Sequence, residues 1–241
     1  MNKTSHDIEK QVEGFHWWFS VRRKLLASIL ASLPLPQGSL ALDIGCGTGS
    51  NLKILSSGGL SAIGVDQSIY AISLANADSQ HLFINADLNR LPIRPKSVGL
   101  IIAADILEHL QDDRHGIHEC FQALKQGGTL ILTVPAFSWL WGIQDLVTGH
   151  KRRYTKKEIR DKLTHEGFRV FRSSYFNFFL FFPILLARRV TFLLGLRIRS
   201  ENEINFLLLN SLLKSIFSLE PWLLKYLSFP FGVSIFCIAK K

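Results

Sequence analysis

The chain has 241 residues, of which 47% are hydrophobic and 20% are charged. This composition provides enough apolar side chains for the core of one α/β domain and excludes an intrinsically disordered chain. The three cysteines are scattered, so neither a disulfide framework nor a cysteine metal site is expected, and a reducing, cytoplasmic setting fits best. The polar N-terminus lacks the layout of a secretory signal.

The net charge of +9 is distributed unevenly along the chain. Residues 1–150 carry 11 Lys and Arg against 13 Asp and Glu, a net charge of −2. Residues 151–241 carry 17 against 6, a net charge of +11, and they are also the most apolar and aromatic part. This combination favours a membrane surface or an anionic amphiphile as partner over nucleic acid, whose basic binding patches usually lie in more polar surroundings.

Hydrophobic periodicity predicts the secondary structure in chain order. A first helix is predicted over residues 8–32, before a proline-rich break. From Leu40 onwards, short apolar runs alternate with segments of helical period, which indicates a parallel, doubly wound sheet. The predicted strands are Leu40–Ile44, Ser61–Val65, Leu82–Asn85, Val98–Ala103, Thr129–Val134, Phe168–Tyr175 and Ser234–Ala239, and the predicted helices between them are 49–57, 67–77, 113–126 and 155–166.

A glycine-rich loop follows the first predicted strand and opens the next helix. Gly45, Gly47 and Gly49 allow a tight turn and let the backbone approach a ligand closely, at the N-terminus of that helix. Asp43 lies directly before these glycines. A carboxylate at this position suits a cationic or zwitterionic ligand better than a pyrophosphate.

Two further acids follow the second and third predicted strands. Asp66 is placed to accept hydrogen bonds from two ribose hydroxyls, and Asp87 to accept one from an adenine amino group. Each acid alone could equally cap a helix or lie in a solvated turn. Three acids at the ends of three successive strands, however, lie along one edge of the sheet, where such folds bind their ligands.

These segments together resemble the class I S-adenosylmethionine (SAM)-dependent methyltransferases, specifically the type 11 group. The resemblance runs from about residue 39 to 135, through residues 43–49, 64–66, 85–92, 104–110 and 124–130. It implies a Rossmann-like three-layer sandwich around a seven-stranded, mostly parallel sheet with an antiparallel last strand, and SAM as the cofactor. The cofactor-binding residues that it implies are Asp43, Gly45, Cys46, Gly47, Gly49, Asn51, Asp66, Gln67, Asp87, Leu88 and Ala104.

Two flanking segments, 16–23 and 149–154, resemble a narrower subgroup to which no substrate is attached. The second contains His150, which together with His109 is the best candidate for the catalytic base, because an imidazole takes up a proton near neutral pH. Arg152 and Arg153 either hold an acceptor phosphate or carboxylate, or belong to a solvated basic turn.

No metal ligand is assigned. Asp105, Glu108 and His109 nevertheless resemble the E-x-x-E-H metal site of certain ubiquinone-pathway and small-RNA methyltransferases, with Asp105 in place of the first Glu. A hard cation there would polarise an acceptor hydroxyl. The alternative is that Glu108 and His109 only shape the floor of the pocket.

The chain is expected to be one domain with a helical cap (1–38), a SAM-binding core (39–175), an apolar helical insertion (176–233) and a last strand (234–241). Trp17 and Trp18 cannot share one helical face, which favours a lid or acceptor-pocket function for one of them over simple core packing.

The apolar run in the insertion, residues 175–187, is too short for a transmembrane helix. Residues 202–219 are predicted to form an amphipathic helix with Leu208, Leu212, Leu213 and Ile216 on one side and Asn210, Lys214 and Ser218 on the other. The insertion either covers the sheet and shapes the acceptor pocket, or docks on a membrane and admits a lipid-linked substrate.

The expected function is methyl transfer from SAM to an oxygen of a hydrophobic small molecule or lipid-linked glycan. The alternatives are an RNA methyltransferase, which the basic C-terminal third favours and its apolar character opposes, and a SAM-binding regulatory protein without turnover. A Rossmann dehydrogenase is disfavoured because Asp43 would repel a pyrophosphate.

Overall fold

A computed structural model describes residues 3–76, 80–194 and 207–241. Its centre is a single sheet whose seven strands follow the order β3-β2-β1-β4-β5-β7-β6. The strands are β1 (Leu40–Ile44), β2 (Ser61–Asp66), β3 (Leu82–Asn85), β4 (Val98–Ala104), β5 (Leu124–Pro135), β6 (Arg169–Phe176) and β7 (Ser234–Lys240). Neighbours from β3 to β5 pair in parallel, and β7 pairs antiparallel with both β5 and β6. The predicted mostly parallel sheet with an antiparallel last strand is confirmed.

Helices cover the sheet and are somewhat shorter than predicted. They are α1 (Lys3–Val12), α2 (Trp17–Ala31), α3 (Leu52–Ser57), α4 (Ile69–Asn76), α5 (Asp113–Ala123), α6 (Ile143–Thr148), α7 (Lys156–His165), α8 (Phe181–Leu193), α9 (Leu207–Phe217) and α10 (Glu220–Leu223). Thr155 caps α7 in a capping box with Glu158, as the sequence predicts. Residue 77 of the predicted helix 67–77 lies outside the described residues.

The predicted and observed strands agree best at the centre of the sheet. Every residue of β4 is buried, and four of the five residues of β1 are. A central parallel strand has helices on both of its faces, so it reads as a continuous apolar run rather than an alternation. This explains why the apolar runs alone located both strands.

The single helix predicted over residues 8–32 is wrong, because the chain forms α1 and α2 with a break at 13–16. Gly14 lowers the helix propensity there, and the buried His16 ends the break by accepting a hydrogen bond from Trp18 N through Nδ1 at 3.3 Å. The break lets α1 turn towards α4, where Asp7 accepts a hydrogen bond from the Tyr70 hydroxyl at 2.6 Å.

The insertion between β6 and β7 contains α8, α9 and α10. Residues 202–206 of the predicted amphipathic helix lie outside the described residues, and its described part is α9. The side of α9 that carries Asn210 faces the N-terminal cap, whereas Leu208 and Leu212 are exposed. Asn210 accepts from Trp17 N at 2.7 Å, because that amide lies in the first turn of α2 and has no partner within the helix. None of the described helices combines the length and apolarity that a membrane-spanning segment needs.

Candidate functional site

A cavity of about 560 Å³ opens at the edge of the sheet where β1, β2, β4 and β5 end. One part of its wall is the glycine loop, and another part is formed by side chains from α2, α8 and the loop before α7. Nine of the eleven predicted cofactor residues line it, namely Gly45, Cys46, Gly47, Asn51, Asp66, Gln67, Asp87, Leu88 and Ala104. The edge of the sheet chosen from the order of the acids is therefore the edge that carries a cavity.

The glycine loop has the backbone conformation for which glycine is required. Gly45, Gly47 and Gly49 have φ values of +70°, +53° and +76°, in the region that L-residues rarely adopt. A Cβ atom on Gly47 would meet no atom within 4 Å, so this glycine faces open space. A Cβ atom on Gly45, by contrast, would come within 2.8 Å of the Ile106 side chain. The loop thus needs Gly47 for backbone shape and Gly45 for both shape and space.

Asp66 ties the glycine loop to the loop that follows β2. Its two carboxylate oxygens accept hydrogen bonds from Gly47 N and Ser68 N, each at 2.8 Å. A carboxylate has about four acceptor positions, so these two bonds leave room for a diol. Asp66 therefore shapes the site in addition to lining it.

Asp43 and Gly49 are the two predicted cofactor residues that do not line the cavity. Asp43 is buried behind the loop, where its Oδ1 accepts from Asn51 Nδ2 at 3.3 Å and its Oδ2 has no hydrogen-bond partner among the described residues. Burial raises the pKa of Asp43 to about 7. Gly49 is positioned against the Phe83 ring, which a Cβ atom would approach to 2.9 Å. Both residues therefore lie on the side of the glycine loop that faces away from the cavity.

Asp87 is exposed and caps the turn that follows it. Its Oδ1 accepts from Asn89 N at 2.9 Å and from Asn89 Nδ2 at 3.0 Å. The capping interpretation and the ligand-binding interpretation of this acid are compatible, because Oδ2 takes no part in the cap. Leu88, next to it, is buried and provides an apolar surface at this end of the cavity.

The chemistry of the wall fits SAM. Asp66 and Asp87 offer acceptors for hydroxyl and amino groups, and the open space above Gly47 admits a ligand close to the backbone. Arg22 on α2 offers a cation for a carboxylate, and it donates to Asp105 Oδ2. The glycine loop itself lies over the buried Asp43, and the negative charge that Asp43 carries above about pH 7 opposes a pyrophosphate at that point. An amino-acid nucleoside with a ribose diol satisfies this set of groups.

His150 is the best oriented titratable group of the cavity. Its Nδ1 donates to Asp145 Oδ1 at 2.7 Å, because a carboxylate can only accept, and this leaves Nε2 as the acceptor nitrogen. Asp145 is fully buried, and it also accepts from Arg153 Nε at 2.8 Å and Arg153 Nη2 at 2.9 Å. Although burial alone would raise it, these hydrogen bonds hold the pKa of Asp145 well below its usual range. A permanently charged Asp145 thus orients the imidazole.

His109 packs edge-on against His150, with ring centroids 4.7 Å apart. Burial, and then the neighbouring His150, lower the pKa of His109 to about 4. An imidazole with so low a pKa is a weak base at neutral pH, where an efficient general base has a pKa near the working pH. Of the two predicted bases, the geometry and the charge favour His150.

Glu108 lies beside both histidines and is completely buried. Neither of its carboxylate oxygens has a hydrogen-bond partner among the described residues, and Oε1 lies 3.8 Å from His150 Nε2. Burial, together with the nearby Asp105, raises the pKa of Glu108 well above its usual value. One ligand atom from each of Glu108, His109 and His150 lies within 4.8 Å of the others, a spacing suited to a metal ion.

Asp105 does not join that cluster, contrary to the grouping that the sequence pattern suggested. It has a φ of +55° at the end of β4, and its oxygens accept from Arg22 and from Thr133 Oγ1, the latter at 3.1 Å. His150, 45 residues after Asp105 in the chain, takes the place that the pattern gave to Asp105.

The two arginines after His150 have structural contacts. Arg152 donates to the carbonyls of Leu110 and Gln111 and pairs with Asp113 at 3.3 Å. Arg153 reaches the cavity wall but directs its guanidinium to Asp145 and to the Ala136 carbonyl. Their proposed use in holding an acceptor anion is therefore not favoured.

Trp17 and Trp18 both line the cavity. The Trp18 ring stacks on Phe176 and on Phe217, each at 5.7 Å with interplanar angles of 9° and 7°. Trp17 meets Phe217 edge-on at 5.7 Å. Core packing and a pocket function, the two alternatives for these tryptophans, therefore both apply, since their rings pack against the core and also form part of the pocket wall.

Three non-glycine residues with positive φ follow three successive strands at this edge. Asp105, Phe137 and Asn177 come after β4, β5 and β6, with φ values of +55°, +54° and +58°. Such conformations cost of order 1–3 kcal/mol each and cluster at functional sites. Asn177 also lines the cavity, and its Oδ1 is buried without a hydrogen-bond partner among the described residues. Only its residue type, which tolerates positive φ, could have signalled it in the sequence.

Comparisons with known proteins show which family the central part of the chain resembles. Residues 42–132 match the model of a family described as a methyltransferase domain. A probable S-adenosylmethionine-dependent methyltransferase of Mycolicibacterium smegmatis is 26% identical over 136 residues, 55% of this chain and 53% of that protein. A ubiquinone biosynthesis O-methyltransferase of Coxiella burnetii is 32% identical over 102 residues, 40% of this chain and 44% of that protein. The chain thus spans about half the length of these relatives.

Solved structures with the same fold include a SAM-dependent methyltransferase from Archaeoglobus fulgidus. It is 20% identical, covers 91% of this chain and 94% of its own, and superposes with a TM-score of 0.57. At this identity the likeness concerns the fold alone.

Proposed function

We propose that the chain, whose residues 42–132 match the model of a methyltransferase domain, transfers the methyl group of SAM to an oxygen atom of a hydrophobic acceptor. The proposed acceptor is a small molecule or a lipid-linked glycan, met on the cytoplasmic side of a membrane. RNA is not favoured as acceptor, because the basic C-terminal third exposes many large apolar side chains beside its charged ones.

In the proposed complex, each end of SAM has partners in the wall. Asp66 accepts from the ribose hydroxyls and Asp87 from the adenine amino group, while Gly45 and Gly47 let the methionine part approach the backbone. Arg22 is placed for the methionine carboxylate. Bound SAM supplies an electrophilic methyl carbon on a sulfonium, which leaves as a neutral sulfide.

The observation that carries the proposal is that one cavity is lined both by the glycine loop and by His150. His150 Nε2 removes the proton of an acceptor hydroxyl while the oxygen bonds to the methyl carbon and the carbon–sulfur bond breaks. Asp145 stabilises the resulting imidazolium and, by accepting the hydrogen bond of Nδ1, leaves Nε2 as the nitrogen that takes up the proton. Methyl transfer otherwise depends on alignment and on exclusion of water, which the aromatic wall supports.

The acceptor end of the cavity supports a hydrophobic acceptor with polar groups. Trp17, Trp18 and Ile184 provide apolar surface, and Asn177 and Arg188 provide polar atoms. A greasy body with a hydroxyl and a further polar group matches these side chains.

The test is transfer of label from methyl-labelled SAM to a lipid and small-molecule extract. His150→Ala should lower turnover about 100-fold or more, as expected for loss of a general base, with unchanged SAM affinity. His165→Ala, an exposed histidine on α7, is the matched control and should leave turnover unchanged. Unchanged turnover of the His150 variant would refute the assignment of the base.

A metal-assisted form of the reaction is a second candidate. It is favoured by one observation, the buried and unpartnered carboxylate of Glu108 beside His109 and His150 among the described residues. A divalent cation held there would lower the pKa of the acceptor hydroxyl directly. Loss of turnover on treatment with a chelator, restored by Mg²⁺ or Mn²⁺, would support this form, and full turnover in the presence of the chelator would refute it.

A further inference from the structure

Exposed apolar side chains are concentrated in the insertion. Of the 21 large hydrophobic side chains exposed among the described residues, 14 lie between Phe179 and Leu227. A monomeric protein rarely exposes so many apolar side chains in one segment without a partner for them. We therefore expect a binding partner to cover the apolar side chains between Phe179 and Leu227.

Helical spacing groups these side chains on definite faces. On α8, Phe182, Leu186 and Val190 are 63%, 65% and 41% exposed at intervals of four residues. On α9, Leu208 and Leu212 are 89% and 57% exposed, again four residues apart. These five residues, together with Trp222 and Tyr226, are called the exposed apolar surface.

Trp222 on α10 and Tyr226 just after it complete this surface. They are 62% and 74% exposed, and their rings meet edge-on at 5.8 Å. Exposed Trp and Tyr side chains are typical of proteins at the boundary between lipid and water, where their rings are buried and their polar atoms stay hydrated.

The charged side chains that this part of the chain exposes are of one sign. Within the described residues 177–194 and 207–233 they are Arg189 and Lys225, whereas Lys214 is half-buried and Arg188 lines the cavity, where it donates to the Leu140 carbonyl. The only acid of these stretches, Glu220, is buried and accepts from Phe179 N at 2.9 Å. A surface that is apolar and cationic without an exposed carboxylate in these stretches is complementary to anionic phospholipid.

We propose that the exposed apolar surface docks on a bilayer that contains anionic phospholipid. Docking rests on the exposed side chains and their charges, and is independent of methyl transfer. The occupant is a lipid surface rather than a second copy of the chain, since a second copy would bring its own Arg189 and Lys225 against these cations.

The position of α8 connects this surface to the cavity. Ile184 and Arg188 line the cavity, and they lie two residues out of step with Phe182, Leu186 and Val190, on the opposite side of the helix. One helix, about 10 Å thick, therefore separates a docked bilayer from the acceptor end of the cavity. This part of the inference rests on the proposed function, and it assigns the acceptor to the molecules that a membrane holds.

The test is co-sedimentation of the protein with vesicles of phosphatidylcholine, with and without a quarter of phosphatidylglycerol. The double variant Leu186→Glu/Leu208→Glu is compared with Leu82→Glu, which changes a leucine that is 69% exposed on β3, at the opposite edge of the sheet. We expect the wild type to sediment with the anionic vesicles and to be released by high salt. The double variant should bind about 100-fold more weakly, about tenfold for each leucine, and the control should bind like the wild type.

Three results would overturn the proposal. They are no sedimentation of the folded wild type, equal binding by the double variant, and a wild-type dimer that the double variant converts to a monomer in sedimentation velocity. SAM affinity, measured by titration of the same samples, separates this proposal from the proposed function. Vesicle binding without SAM binding would support membrane docking and refute the proposed methyltransferase function. SAM binding without vesicle binding would support the proposed function and refute docking.

Discussion

Replacement of Asp145 by Asn removes the charge that holds the loop before α7 together. The wild-type carboxylate accepts three hydrogen bonds from His150 and Arg153, at 2.7–2.9 Å, and a fourth from Gly142 N at 2.7 Å. An amide has only one acceptor oxygen, so at least two of these bonds are lost, each worth about 1.5–3 kcal/mol when a charged group takes part. The Arg153 guanidinium, 9% exposed, would also keep its charge without a counterion. We expect a loss of about 3–5 kcal/mol in the free energy of unfolding, the usual cost of breaking a buried ion pair.

The assay is urea unfolding at pH 7, compared with Asp161→Asn. Asp161 also pairs with a cation, Lys157 at 2.6 Å, but both side chains are exposed on α7, so no measurable change is expected there. Since the folded-state pKa of Asp145 lies below the usual value, its contribution is complete above about pH 4 and declines as the pH falls further. The difference between wild type and Asp145→Asn should therefore shrink on acidification. If Asp145→Asn lowers the free energy of unfolding no more than Asp161→Asn does, the interpretation that a charged Asp145 holds His150 in place is refuted.

Two further predictions concern the glycine loop. The pKa of Asp43 is raised to about 7 by burial, so this acid lowers the free energy of unfolding as the pH rises from about 4 to 7. Asp43→Asn should therefore raise the free energy of unfolding of the ligand-free protein by up to about 4 kcal/mol at pH 8 and change it little at pH 4. Equal effects at both pH values in thermal or urea unfolding would contradict this prediction. Gly45→Ala places a Cβ atom within 2.8 Å of the Ile106 side chain at a φ of +70°. The variant should therefore bind SAM at least tenfold more weakly and have a lower melting temperature. Wild-type values for both would show that the loop is not constrained as described.

The parts of the fold that the sequence predicted well are those fixed by local chemistry. β1 and β4 are buried on both faces, so their apolar runs are continuous, and the glycines after β1 are required by positive φ. The acids Asp66 and Asp87 reach the same cavity because parallel strands end at one edge of the sheet.

The parts that the sequence did not predict depend on contacts between distant segments. Asn210 faces the N-terminal cap because Trp17 N needs an acceptor, and the amphipathic pattern of α9 contains no information about that amide. Similarly, Asp105 was grouped with Glu108 by spacing, but its positive φ turns it to Arg22.

Asp145 is an intermediate case, since its partners are close in sequence. It precedes His150 by five residues and Arg153 by eight, so the spacing was visible. The charges around it nevertheless resemble any solvated basic turn until burial is known. Complete burial of Asp145 distinguishes this segment from a solvated surface loop and makes it the support of the proposed catalytic base.

Titration of the purified wild type with SAM and S-adenosylhomocysteine, repeated on Asp66→Ala, tests the central claim most directly. If the cavity is the cofactor site, the wild type binds both with micromolar affinity. The Asp66 variant, which loses the bonds to Gly47 N and Ser68 N as well as the ribose, should bind at least about tenfold more weakly. A folded wild type that binds neither compound, or an Asp66 variant that binds as tightly as the wild type, would contradict the account.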